Sequence, residues 1–233
     1  MIEEQERNLT FLSEDFFKYP NSRQHIDQQN DIPVSDSRRF LEYMVDIFPQ
    51  SVNYVIGMVD MVNSTKITAQ IGPVQTARYF QVFLNSMSKI LSRYDGTVFK
   101  IAGDCLLFYF RGSDSNKTGL VSCIECGLEM TRSQKYISRQ LIGEGLPKID
   151  FRVSADYGPV SLMKTSISEK FDMIGPPVNM CAKINRLAAK NQLVIGGDLF
   201  QMIKEFKIYK FKEIDDFSLG FKLAYPVYSV SDK

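Results

Sequence analysis

Histidine is almost missing from this chain: 233 residues hold one, His25. Cysteine is scarce too, at four. Four thiols in this length do not make a disulfide scaffold. Cys123 and Cys126 form an isolated C-x-x-C, and with no second pair a tetrahedral zinc site lacks ligands. Neither sign of charge is in excess, since 28 Lys and Arg stand against 27 Asp and Glu for a formal net charge of +1. That balance gives no global pull toward nucleic acid or an anionic membrane. No apolar run approaches the roughly 18–20 residues that span a bilayer. The opening MIEEQERNLTF is acidic and polar, unlike a secretory signal. The expectation is a cytoplasmic protein with reduced thiols and no nucleic-acid or membrane partner.

What is present is the composition of a folded domain: 44% hydrophobic, 24% charged and 12% aromatic residues. That excludes disordered and low-complexity classes, and the length allows a sizeable core. Residues 1–50 read as an N-terminal polar arm and a short helix. The arm is KYPNSRQHIDQQNDIPVS, and Ser35 and Asp36 are plausible caps for a helix through RRFLEYMVDIF. The stretch is too short to hold a sensor domain.

Residues 51–233 read as one globular domain. VNYVIGMV suits a strand buried on both faces. Ala77, Phe80, Leu84, Met87 and Leu91 recur at helical spacing, predicting a helix from about Pro73 to Arg93. TVFKIAGDCLLFYF predicts two strands joined at Ala102-Gly103-Asp104. A second helix follows near 117–135, then the strand DFRVSADYG and a strand pair or arm over 159–173. A third helix opens at Gly175-Pro176-Pro177 and runs to about Lys190. LVIGG and the C-terminal tail add strands. Tyr209 to Lys212 alternate as in a half-exposed strand. The order β-α-β-β-α-β gives an α/β class, an α+β sandwich with a ferredoxin-like split βαβ core and a C-terminal α/β extension.

Two aspartates stand out. Asp60 ends the first buried strand, where a carboxylate is placed to meet a ligand. Asn63, Ser64 and Thr65 follow, near a helix start whose N–H groups suit phosphate. Asp104 sits at the hairpin tip. In a split βαβ unit strand and hairpin are neighbours, so the two carboxylates converge and call for a cation between them. Hard oxygen ligands with little else from the protein suit Mg²⁺. Further on, Asn179 and Lys183 share a helix face at i, i+4, with Arg186 near it.

Together these segments resemble the catalytic domain of class III nucleotidyl cyclases, from about Asn53 to Val230. VDMVNST resembles the first metal-aspartate motif, and KIAGD the second, with Asp104 following Asp60 by 44 positions. RVSADYG resembles the central strand motif. FDMIGPPVNMCAK resembles the motif with the base selector and the transition-state pair.

The resemblance implies an adenylate cyclase that converts ATP to 3′,5′-cyclic AMP and pyrophosphate. Asp60 and Asp104, with the carbonyl of Met61, would hold two Mg²⁺ or Mn²⁺ ions. Lys100 and Asp172 match the positions that read the base, and a cationic donor with an acceptor carboxylate suits adenine N1 and N6. Family guanylate cyclases typically carry Glu and Cys there. Asn179 would orient the ribose. Lys183 stands where the family usually has a transition-state arginine, a change that keeps the charge and loses the bidentate fork; Arg186 is a candidate compensator. Lys222 falls near a triphosphate-contacting position, one residue out of register. The family builds its sites between two chains, which implies a homodimer. The alternative is a catalytically weak or inactive nucleotide-binding homologue acting as a regulatory module. Control is expected through the N-terminal arm, an ion such as bicarbonate, or a separate regulatory partner. A diguanylate-cyclase or polymerase-palm relative is disfavoured by the absence of a Gly-Gly-Asp/Glu-Glu/Asp-Phe-like hairpin.

Overall fold

The computed structural model describes residues 45–111, 118–165, 170–214 and 225–233. The elements run β1 (Val45–Met61), α1 (Ser64–Arg93), β2 (Thr97–Ala102), β3 (Cys105–Arg111), α2 (Thr118–Gly143), β4 (Phe151–Thr165) and β5 (Asp172–Ile174). Then come α3 (Pro176–Ile184), a 3₁₀ turn (Asn185–Leu187), β6 (Leu193–Gly196), α4 (Gly197–Ile203), β7 (Tyr209–Glu213) and β8 (Val227–Asp232).

The strands form one sheet in the order β2-β3-β1-β4-β6-β8-β7, with β5 paired to β4. β1 lies between β3 and β4 and is antiparallel to both. β2 pairs antiparallel with β3. This is the split βαβ core that the element order predicts, and β6, β7, β8, α3 and α4 are its extension.

Alternation sorts the side chains onto two faces. On one, Val55, Val59, Leu106, Phe108, Phe151 and Val153 pack against Tyr79, Phe83 and Leu91 of α1 and Ile124 and Met130 of α2. On the other, α3 closes over the sheet through Ile184, which packs with Ala188, Val194 and Val227. Asp60, Cys105 and Arg152 alternate out of the first core and share this second face.

Several expectations are corrected. Residues 45–48, read as the end of a helix, are strand: β1 begins at Val45 and crosses the 50/51 boundary, pairing with β4 as far as Val45↔Thr165. Long-range pairing outweighs the local helical pattern there. Pro49, which cannot donate to a ladder, falls where the register shifts between Ile47 and Ser51. α1 begins at Ser64 rather than Pro73, and the two limbs meet at Gly72 (φ 78°, ψ 169°), a kink set by a conformation open to glycine before Pro73. α2 extends to Gly143. β4 continues unbroken to Thr165, and α3 stops at Ile184. α4 was not anticipated. The polar arm with His25, and Lys222, lie outside the described residues.

All four cysteines are buried and free. Cys123 and Cys126 sit within α2, and burial pushes the Cys126 thiol up to about 12. No helix among the described residues is long and apolar enough to cross a membrane.

Candidate active site

Asp60 is the last residue but one of β1. Its Cα partner on β3 is Cys105, and Cys105 also pairs with Ala102 across the two-residue turn Gly103-Asp104. Gly103 takes φ 62°, which lets the turn close in two residues. Asp104 therefore stands one residue from the position facing Asp60. The Asp60 carboxyl is pushed up to about 6, first by burial and next by the charge of Asp104, while Arg152 and Arg186 pull it down. A like charge felt at close quarters is the mark of two carboxylates sharing a site.

The remaining donors define what ion fits. Cys105 lies beside both aspartates, and burial followed by their two charges holds its thiol at about 12. Asp60 and Asp104 supply hard carboxylate oxygen. Among the described residues no three His, Cys, Asp or Glu side chains are grouped for a metal. Two carboxylates and a backbone carbonyl, such as that of buried Met61, leave the other positions of a hard cation to water and substrate, which suits Mg²⁺ or Mn²⁺.

α1 starts directly after Asp60 and Met61. Asn63 is its N-cap in the left-handed conformation (φ 60°), and its carbonyl accepts from Ile67 N–H at 3.1 Å. The first-turn N–H groups of Ser64 and Thr65 have no acceptor within the helix, and no acidic side chain sits in that turn.

Lys100 of β2 and Asp172 of β5, 72 positions apart, form an ion pair. The other carboxylate oxygen of Asp172 accepts the Met173 N–H at 2.9 Å. The structure thus joins the two residues singled out as base readers, with Lys100 half exposed and Asp172 a quarter exposed.

Asn179 and Lys183 lie one turn apart on α3, both exposed. Arg186 was expected on the same helix and is instead in the 3₁₀ turn. The helix passes there into the 3₁₀ turn: Asn185 keeps a helical backbone with its N–H on the Cys181 carbonyl, while its side chain turns inward to bond β4. The charge of Arg186 acts on Asp60 of its own chain.

Sequence reading missed Arg152. It is the Cα partner of Asp60 on β4, and its Nε is the one buried side-chain N or O atom without a hydrogen-bond partner among the described residues. The available signal was a lone cation inside the apolar strand DFRVSADYG. Asp60, Asp104, Arg152 and Arg186 thus form one electrostatic group, and Lys100 with Asp172 a second.

Residues 49–231 match the family described as the adenylate and guanylate cyclase catalytic domain. A uridylate cyclase from Rhodovulum sp. (strain MB263) is 26% identical over 137 residues, covering 55% of this chain and 55% of that protein. The match therefore spans little more than half of that relative. Among solved structures, the adenylyl cyclase CyaB from P. aeruginosa superposes with a TM-score of 0.72 at 20% identity, covering 79% of this chain and 96% of that one. The guanylate cyclase domain of RhGC from Catenaria anguillulae, in complex with GTP, gives 0.69 at 15% identity, covering 79% and 99%. At these identities the structural likeness speaks for the fold.

Proposed function

The chain belongs to the adenylate and guanylate cyclase catalytic domain family, and on that premise we propose that it converts ATP to 3′,5′-cyclic AMP and pyrophosphate as a homodimer. The observation that carries the choice of base is the contact between Lys100 and Asp172. Adenine presents a ring acceptor, N1, beside an amino donor, N6. A lysine donor next to a carboxylate acceptor matches that edge, whereas guanine offers N1–H and O6, the reverse pattern.

Asp60 and Asp104, with the Met61 carbonyl, would hold two Mg²⁺ or Mn²⁺ ions, whose chemistry is to acidify the ribose 3′-hydroxyl and neutralise the triphosphate. Arg152 offers a cation on the same sheet face as Asp60, suited to phosphate oxygens. The first-turn N–H groups of Ser64 and Thr65 add neutral donors for the same anion. Asn179 orients the ribose, and Lys183 donates to the α-phosphoryl oxygens as charge builds on them. The 3′-oxygen bonds to the α-phosphorus while the bond to the bridging oxygen breaks, and pyrophosphate leaves. Positioning and charge stabilisation account for the rate. Asn179 and Lys183, exposed on α3, serve the partner's aspartates, so two equivalent sites form across a twofold axis.

The test is incubation of the purified protein with ATP, CTP, GTP or UTP and each metal, with the product identified by mass. Cyclic AMP from ATP is expected. The likeness to a uridylate cyclase makes UTP a necessary arm, because uracil carries N3–H and O4, the guanine-like pattern. Any other cyclic nucleotide as main product, cyclic CMP included because cytosine shares the ring acceptor and amino donor, or no product, overturns the assignment.

A further inference from the structure

Ser154 and Asn185 are polar and closed to solvent, at 0% and 2% exposure. Neither has a part in the chemistry above. Ser154 follows Arg152 by two on β4, so both side chains point to the same face, and its Cα partner is Met58, two residues before Asp60. Asn185 opens the turn that bears Arg186.

Their hydrogen bonds join the elements that one chain would contribute to the two shared sites. Asn185 Nδ2 donates to Ser154 Oγ at 3.2 Å and to the Arg152 carbonyl at 3.3 Å. Ser154 Oγ donates to the carbonyl of Cys181 at 3.0 Å, which also accepts the backbone N–H of Asn185. The Cys181 thiol donates to the Ile56 carbonyl on β1 at 3.0 Å. Cys181 lies between Asn179 and Lys183 on α3. A buried polar layer therefore ties the helix that carries Asn179 and Lys183 to the strands that carry Arg152 and Asp60. Apolar contacts alone tolerate sliding. Buried donors and acceptors do not, because a small shift leaves them unpaired.

We propose that Ser154 and Asn185 are positioning residues of the cyclase reaction. They fix the rotation and slide of α3 on β4, and so the place at which Asn179 and Lys183 are presented. The inference rests on the functional reading above. Position can be told from stability, because the double variant removes both partners of the Asn185–Ser154 bond and the Cys181 carbonyl keeps the Asn185 N–H, so the folding cost falls on the Arg152 carbonyl alone.

The experiment compares wild type, the Ser154→Ala/Asn185→Leu double variant and Ser154→Ala alone. kcat, KM for ATP, thermal midpoint and circular dichroism are measured for each. The double variant should lose about ten- to a hundredfold in kcat, as expected for a small misplacement of a reacting group. KM should stay within about twofold and the thermal midpoint within a few degrees. If the double variant does not fold, Ser154→Ala, which removes one hydroxyl, should show the same split at smaller amplitude. Wild-type kcat in either folded variant, or a fall in kcat that only follows loss of folded protein, overturns the inference. A wild-type chain that forms no cyclic nucleotide overturns the functional reading, and this inference with it.

Discussion

Lys100 and Asp172 hold each other in an ion pair between β2 and β5, although β2 and β5 occupy different parts of the sheet and the residues are 72 positions apart. The carboxylate is fixed a second time by the Met173 N–H. A cationic donor and a carboxylate acceptor thus stand side by side.

Replacing Lys100→Glu together with Asp172→Cys should move preference from ATP toward GTP, since the edge would then accept from N1–H and donate to O6. Each single change should lower kcat/KM for ATP by about tenfold or more, because one polar group then faces an unmatched base edge. Competition assays with both nucleotides measure this, and unchanged ATP preference in the double variant refutes the base-reading role.

Asp104→Asn should remove metal-dependent turnover by on the order of a hundredfold or more. The fold should survive, since asparagine also suits the second position of a Gly-x turn. Circular dichroism and metal titration distinguish loss of the ion from loss of structure. Wild-type turnover would exclude Asp104 as a ligand.

Mixing inactive Asp60→Ala chains with inactive Asn179→Ala chains should restore activity. In the heterodimer one shared site collects both lesions and the other neither, so up to half the activity per dimer returns. Mass-tagged subunits establish exchange. Verified heterodimers without activity would rule out sites shared between chains.

The Asp60 carboxyl, pushed up to about 6, makes the metal-free fold sensitive to pH in a definite direction. An unfolded aspartate ionises near 3.9. Between about pH 4 and 6 the folded chain holds the extra proton, so stability falls as pH rises through that window. Asp156, buried under bonds from Tyr225 and the Leu199 N–H and pushed up to about 6 mainly by burial, contributes in the same sense. Above pH 6, without metal, Asp60→Asn should therefore melt higher than wild type, and added Mn²⁺ should raise wild type alone. Below pH 6 metal binding by wild type should weaken as protons compete. Identical melting of the two chains at pH 7 would contradict the burial of that charge.

Much of this site was readable in the sequence because it is built from short motifs at strand ends. Asp60 and Asp104 follow from strand, turn and spacing, and their convergence from the order of elements. Lys100 and Asp172 could be matched only through the family likeness, since no local pattern links residues on separate strands. Arg152 escaped because it faces Asp60 only once β1 and β4 are paired. Arg186 falls just beyond α3, in the 3₁₀ turn that opens at Asn185, a change of winding that no spacing of apolar residues marks. The start of β1 was misread because a distant strand overrides local propensity there.

The central place of β1 has a consequence for how the chain acquires its structure. Gly57 faces Phe108, 51 positions on, and Ala155, 98 positions on. During synthesis the apolar stretch Val55–Val59 emerges well before either partner. At about 5–20 residues per second, β4 follows roughly 5–20 s later. Until β3 emerges the strand bearing Asp60 has two open edges, one of them stays open until β4 arrives, and closing such distant pairs makes folding slow. Chaperone demand and aggregation at high expression should thus be set by this segment, and a pulse of arrested nascent chains ending between β3 and β4 should be the most readily captured by chaperones that bind exposed apolar strands.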